Sequence, residues 1–186
     1  MGIVVDFQDW TVATLRARVA EVEEANQDLI AFARGHSGAV AAIHAAVLAA
    51  IEADSLEHLI HIVTQDWPDI LGVDAVALAL HVGETGLRAD SNGLNYVDRR
   101  VIARIMRGLE GVVLRGVDQG HPLFGPAAPL IRAEALVRLD HPAPHACGLI
   151  ALGQRAEQRF ETRHGSELLA FLGATLARMV GRWLLP

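Results

Sequence analysis

Near the start of the chain, positions that are mostly hydrophobic recur at alternating steps of three and four residues. They are Val12, Leu15, Val19, Val22, Asn26, Leu29, Ala33 and His36. This spacing is that of the a and d positions of a coiled coil, in which β-branched residues at a and leucine at d favour two parallel helices. A single asparagine at a, here Asn26, fixes the register of the pair.

The pattern therefore predicts a helix from Trp10 to Arg34 that pairs with a second copy of the chain as a parallel homodimer. The residues predicted to form the interface are Val12, Leu15, Val19, Val22, Asn26 and Leu29. The alternative is an amphipathic helix that packs on its own domain.

A second helical stretch from Ala39 to Ala53 is rich in alanine. Gly35 and Gly38 stand between the two stretches and either break the helix or only kink it. We take residues 1–53 as an N-terminal helical dimerisation segment and residues 54–186 as a separate domain.

The separate domain is predicted to open with a helix. Asp54 followed by Glu57 resembles a capping box, which starts a helix that we expect to run from Ser55 to Leu71. Pro68 is expected to disturb the last turn, because proline has no amide hydrogen. Gly72 is expected to end the helix.

The hydrophobic period then changes from that of a helix to that of a β-strand. Over Ala75–Val82 large apolar residues alternate with alanines and His81, which predicts a strand with one bulky face and one alanine face. The further predicted elements are a weak strand near Leu87–Ala89, a helix Asn95–Leu109, a strand Val112–Val117, a loop Asp118–Pro129, strands Glu134–Asp140 and Cys147–Gly153, and a helix Gly165–Leu184. Strands grouped between helices indicate an α/β domain of the α+β type.

Charge and cysteine content exclude several classes of function. All sixteen basic residues are arginine, so a phosphate-loop lysine, a Schiff-base lysine and a serine–lysine dyad are impossible. The single cysteine excludes an internal disulfide and suits a reducing compartment. The net charge of -6 argues against general nucleic-acid binding.

These features predict a cytoplasmic protein without enzymatic activity. The N-terminus carries no basic region before its apolar residues, which argues against a secretory signal, and no apolar run is long enough to span a membrane. No residue pattern points to a catalytic or metal site or identifies a cofactor.

Three segments carry a resemblance to a known family. They are Leu71–Leu78, Pro129–Leu136, and the run Gly148–Gly153 followed by Arg159-Phe160 and Gly165–Gly173. In this order they resemble domain-of-unknown-function family 484, whose members are bacterial, GAF-like and without assigned activity. The resemblance implies a six-stranded antiparallel sheet with helices on one face and a ligand pocket on the other.

Resemblance to GAF domains also implies ligand sensing or signalling between the two halves of a dimer. We therefore predict a non-enzymatic, dimeric sensory or regulatory protein that binds a small, anionic ligand. The alternative is a ligand-free protein–protein interaction scaffold, whose pocket is filled by its own side chains.

Six residues are candidates for the ligand site. Glu134 and Arg138 share one face of a predicted strand, and Arg115 lies on another predicted strand; these three either line the pocket or form surface charge pairs. His121 and Phe124 lie on the loop that would cover the pocket. Tyr96, at the predicted start of a helix, either closes the same pocket or serves in packing.

Overall fold

The computed structural model describes residues 7–82, 84–140, 147–157 and 163–184. Its helices are α1 (Phe7–Ile51), α2 (Leu56–His61), α3 (Trp67–Leu71), α4 (Arg99–Arg107) and α5 (Arg163–Leu184), with a π-helical turn at Ile62–Asp66 and a 3-10 segment at Pro122–Leu130. Its strands are β1 (Ala75–Val82), β2 (Thr85–Asp90), β3 (Gly93–Val97), β4 (Val112–Gly116), β5 (Ala133–Asp140) and β6 (Cys147–Gln154). Contacts within the chain divide it between Ala41 and Ala42 into two units.

The first unit contains α1 as far as Ala41. This helix of 45 residues continues through Gly35 and Gly38, so the two stretches separated in the sequence form one element. The side chains of Val19 and Val22 are 54% and 67% exposed, and Asn26 is also exposed. The side chains of Val12, Leu15 and Leu29 lie outside those that the structure describes. Within the described part of the chain, no helix combines the length and hydropathy needed to cross a bilayer.

The last turns of α1 belong to the second unit and contribute to its core. Ile43, Ala46 and Ala50 are buried there, and Trp67 Nε1 donates a hydrogen bond to the Ala46 carbonyl at 3.0 Å. The predicted division into residues 1–53 and 54–186 stays a prediction.

The six strands form one antiparallel sheet in the order β3-β2-β1-β6-β5-β4. The bulky side chains of β1, such as Leu78, pack into a core with α1, α2 and α5. Its alanines, such as Ala77, pack on the opposite face with α4 and the 3-10 segment. The predicted α+β class and the two unlike faces of β1 are confirmed. The small alanine side chains allow α4 and the 3-10 segment to lie close to the sheet.

The helix predicted over Ser55–Leu71 is interrupted. Its N-cap is Ser55 and not Asp54, because the Ser55 side chain accepts a hydrogen bond from the backbone N–H of His58 at 3.1 Å. Before Pro68 the helix widens into the π-helical turn, in which the N–H of Trp67 bonds to the carbonyl of Ile62. Gly72 ends α3 in the left-handed conformation, with a φ of 65°, as predicted.

The prediction of a helix from Asn95 to Leu109 is wrong at its start. Residues 95–97 belong to β3, which pairs with β2 so that Tyr96 lies opposite Leu87. The turn at Ser91-Asn92 returns the chain alongside β2, and this pairing overrides the local helical pattern. Asp98 then caps α4, its carboxylate accepting from the N–H of Arg100 at 2.8 Å.

Candidate functional site

Three of the six predicted site residues lie together at the β4 edge of the sheet. Arg115 is paired directly opposite Glu134 in the ladder between β4 and β5. Its Nε and Nη2 atoms lie 2.8 Å and 2.6 Å from Oε1 of Glu134. The backbone N–H of His121 donates to the other carboxylate oxygen, Oε2, at 2.6 Å. The carboxylate thus joins two strands to the start of the 3-10 segment.

Burial makes this carboxylate unusual. The side chain of Glu134 is 0% exposed, whereas that of Arg115 is 50% exposed. A buried carboxylate is tolerated only when charge and hydrogen bonds replace its water, and here three donors do so. Because its oxygens are already engaged within the chain, Glu134 holds the loop in place in this structure.

His121 acts as the N-cap of the 3-10 segment. Its Nδ1 atom accepts a hydrogen bond from the backbone N–H of Leu123 at 3.2 Å. Burial lowers the pKa of His121; the negative charge of Glu134 opposes this shift and the positive charge of Arg115 adds to it. The neutral imidazole is the form that can accept through Nδ1, so the lowered pKa and the capping contact favour the same state.

Phe124 lies inside the covering segment and points into the core. Phe124 and Ile131 are 1% and 0% exposed, and both pack over Gly153 of β6. A Cβ atom at Gly153 would lie 2.8 Å from Ile131 Cδ1 and 3.0 Å from Phe124 Cε1. The absence of a side chain at Gly153 therefore makes room for Phe124 and Ile131, which occupy the sheet face where a ligand pocket was expected.

Two further residues, which are not among the predicted site residues, also hold the 3-10 segment in place. Arg88 and Asp90 of β2 form an ion pair, and Arg88 Nε donates to the carbonyl of Leu123 at 3.2 Å. Gly125, with a φ of 55°, passes so close that a side chain there would collide with the Arg88 guanidinium. The alternation of Arg88 and Asp90 along a strand was the available signal, because residues two apart share a face.

The remaining two candidates lie elsewhere. Arg138 Nε is 2.7 Å from Asp140 Oδ1, and its Nη1 donates to the carbonyls of Met106 and Leu109 at 3.2 Å and 3.3 Å. It thus binds the C-terminal end of α4, where a cation is favourable. Tyr96 is 76% exposed on β3, the edge strand opposite β4. The predicted six-residue site is therefore distributed over the sheet, with one cluster at Arg115, His121 and Glu134.

The strand order and the placement of the helices are those of a GAF domain, as comparison with solved structures shows. The GAF domain of a phosphoenolpyruvate-protein phosphotransferase from Coxiella burnetii superposes with a TM-score of 0.58 at 11% identity, over 79% of this chain and 95% of that one. The corresponding GAF domain from Acinetobacter gives 0.54 at 15% identity, over 76% and 91%. At such identities the likeness establishes the fold alone.

A third similar structure is the chromophore-binding domain of a Stigmatella aurantiaca bacteriophytochrome. It has a TM-score of 0.51 and 18% identity over 75% of this chain, which spans 59% of that domain. The model of the family described as "Protein of unknown function, DUF484" matches residues 1–185, and this chain belongs to that family. No protein of curated function matches the sequence.

Proposed function

We propose that this protein is a non-enzymatic, cytoplasmic regulatory protein that works as a parallel homodimer of GAF-like domains. The observation that carries the proposal is the exposure of Val19 and Val22, at 54% and 67%, on one stripe of α1. In a parallel coiled coil each a residue meets its own copy in the partner helix, as does each d residue. A second copy of α1 in register would therefore cover both valines and bring the two Asn26 side chains together.

Burial of the stripe supplies the driving force for such a dimer. Removing a valine side chain from water contributes about 1.5–3 kcal/mol. Val19 and Val22 are apolar members of a seam that the sequence extends to Val12, Leu15 and Leu29, so each of two helices would contribute them to the interface. A dimer held by this helix can regulate by population shift. A partner or ligand that binds one arrangement of the two helices more tightly than another shifts the equilibrium between these arrangements.

The packing around the candidate site favours an interaction scaffold and disfavours a preformed ligand pocket. Phe124 and Ile131 fill the sheet face below the 3-10 segment, and the carboxylate of Glu134 is fully engaged. The chain has no lysine, which excludes the catalytic mechanisms that depend on a lysine side chain. In this proposal the GAF-like domain responds to a change in the arrangement of the paired helices and catalyses no reaction.

A small anionic ligand remains the second candidate, since one observation favours it. Arg115 keeps 50% of its side chain in solvent beside His121, so an incoming carboxylate or phosphate could compete with Glu134 for the guanidinium. A thermal-shift screen with nucleotides and dicarboxylates tests this candidate. A rise in melting temperature that Arg115→Gln removes and Arg107→Gln preserves is expected for such a site. An unchanged melting temperature with every compound contradicts the ligand site and favours the interaction scaffold.

Sedimentation velocity at micromolar concentration tests the dimer. We expect the wild type to sediment as a dimer and Val22→Asp to sediment as a monomer, since two carboxylates would face each other across the seam. Val101→Asp is the matched control, because Val101 is 50% exposed on α4, outside the seam. A monomeric wild type, or a dimer that Val22→Asp leaves intact, contradicts the proposal.

A further inference from the structure

A groove opens on the sheet face opposite the 3-10 segment. Its volume is about 340 Å³, within the range of ligand sites. One wall of the groove is formed by α2 and the π-helical turn, and the other by the strands β2 and β3. The lining residues are Glu57, Ile60, His61, Thr64, Gln65, Ala89, Asp90, Gly93 and Leu94.

The π-helical turn forms one wall of this groove. Thr64 and Gln65 belong to the turn, and the Thr64 hydroxyl donates to the carbonyl of Ile60 at 2.9 Å. Gln65 is exposed. Single π-helical turns are rare and occur frequently at functional sites. The irregular turn therefore coincides with the groove wall.

The other wall includes a sheet edge that is exposed among the residues that the structure describes. β3 is the last strand on its side of the sheet, and Gly93–Tyr96 are exposed. Its sequence contains no charged residue and no proline, the usual means of blocking an edge. Alternate backbone N–H and C=O groups of such a strand point away from its neighbour. The opposite edge strand, β4, instead carries the charged Arg115 and packs against α5.

We propose that β3 and the groove together bind an extended peptide segment of a partner protein. The segment adds as a seventh strand beside β3, and alternate side chains enter the groove between β3 and α2. This is strand addition, in which backbone hydrogen bonds give affinity and pockets for alternate side chains give specificity. Leu94 and Tyr96 lie on the groove side of β3, since their ladder partners Ala89 and Leu87 pack in the core on that side.

The chemistry of the lining defines the segment. Ile60, Ala89 and Leu94 give the groove an apolar surface, so one side chain of the peptide is apolar. Glu57 is exposed on α2, and the lining described here includes no arginine. The carboxylate of Asp90 is already bound to Arg88 and to the N–H of Asn92. A basic residue placed two positions from the apolar one would face the same groove and pair with Glu57.

The same chemistry disfavours a second copy of this chain as the occupant. A second β3 strand would bring the sequence Gly93–Val97, which contains no basic residue for Glu57. The inference also stands apart from the proposed dimer, because every lining residue lies within residues 57–94 of the second unit. Peptide binding can therefore be present or absent whatever the oligomeric state of α1.

Fluorescence anisotropy with the labelled peptide acetyl-TVTRTVT-amide tests the proposal on the full chain. We expect saturable binding that weakens at least tenfold when the arginine of the peptide is replaced by glutamate. Two N-methylated peptides, one for each alternate set of amides, test the strand pairing. One set faces β3 and its methylation should abolish binding, whereas the other set faces solvent and its methylation should leave binding unchanged. Amide hydrogen exchange in Gly93–Val97 should slow when the peptide binds.

Matched variants separate the groove from general attraction to an acidic protein. Glu57→Lys should weaken binding at least tenfold, and Glu110→Lys, which makes the same charge change at another exposed site, should leave it unchanged. Absence of saturable binding, equal effects of the two variants, or equal binding of both N-methylated peptides would overturn the proposal. A change in sedimentation of the peptide-free protein caused by Leu94→Lys would also overturn it, because the occupant would then be a second copy.

Discussion

The guanidinium Nη2 of Arg115 lies 2.6 Å from Oε1 of Glu134, and the two residues face each other across β4 and β5. Through the other carboxylate oxygen the pair also holds the backbone of His121. The contact therefore fixes the point at which the chain leaves the sheet to form the 3-10 segment. Residues with the chemistry of a ligand site serve here to position a loop.

Removal of the Arg115 side chain should destabilise the domain. In Arg115→Met the buried carboxylate keeps one donor, the N–H of His121, and we expect the free energy of unfolding to fall by about 1–3 kcal/mol. Urea denaturation followed by circular dichroism measures the change. Arg107→Met, an exposed arginine on α4, is the control and should change stability by less than about 0.5 kcal/mol. Equal losses in the two variants would show that the ion pair contributes nothing specific.

The packing of Phe124 predicts a larger loss. Phe124→Ala would leave a cavity over Gly153, and such changes cost about 3–5 kcal/mol. Leu130→Ala is the control in the same 3-10 segment, because Leu130 is 50% exposed. A loss for Phe124→Ala as small as that for the control would mean that the segment packs loosely. Thermal unfolding and denaturant titration both report the difference.

The pKa of His121 predicts a pH dependence of stability. Burial lowers this pKa below its ordinary value of 6.5. As the pH falls, the unfolded chain binds a proton at this site before the folded chain does, so the contribution is present above pH 6.5 and is lost at lower pH. We expect the wild type to lose more stability than His121→Asn between about pH 7.5 and pH 5, since asparagine retains a cap acceptor without titrating. Parallel stability curves for the two proteins would contradict this assignment.

The start of α2 offers a test of two adjacent residues. Ser55→Ala removes the observed N-cap and should lower stability by about 1 kcal/mol. Asp54→Ala removes the residue that the sequence pattern favoured, whose carboxylate instead binds His58 Nδ1 at 3.0 Å in solvent. Its effect on the melting temperature should be smaller. If Asp54→Ala proves the more destabilising variant, the cap has been assigned to the wrong residue.

Periodic helices and strands could be predicted from the sequence because the spacing of their apolar residues indicates which face of the element is buried. The alternation over Ala75–Val82 predicted β1, and a glycine at position 72 predicted the end of a helix. The ordered segments from Leu71 onward carried the resemblance to the GAF-like family. The start of α4 could not be predicted in this way. Tyr96 is common in strands but Asn95 is not, and both join β3 because the preceding turn presents β2 as a partner.

The candidate site was predicted only in part for a related reason. Strand alternation placed Glu134 and Arg138 on one face of a strand and Arg115 on a face of another, because alternation follows from strand geometry alone. That these two strands are neighbours came only from the structure. Whether those side chains would meet a ligand, water or each other depends on what covers the sheet. Arg88, Asp90 and the groove beside β3 depend on contacts between segments distant in sequence, and no local pattern reports those contacts.

The sequence by itself determined the helical character of the N-terminal stretches and the α+β class, since these follow from periodicities of residues close along the chain. It also indicated the family, through the resemblance of its ordered segments. Only the tertiary structure decided that Glu134 is buried beneath a covering segment and that β3 is an exposed edge strand of the sheet. The physical reason is that burial and strand order depend on which segments of the chain pack against each other. The free energy of that packing depends on residues from both segments, which are distant in the sequence.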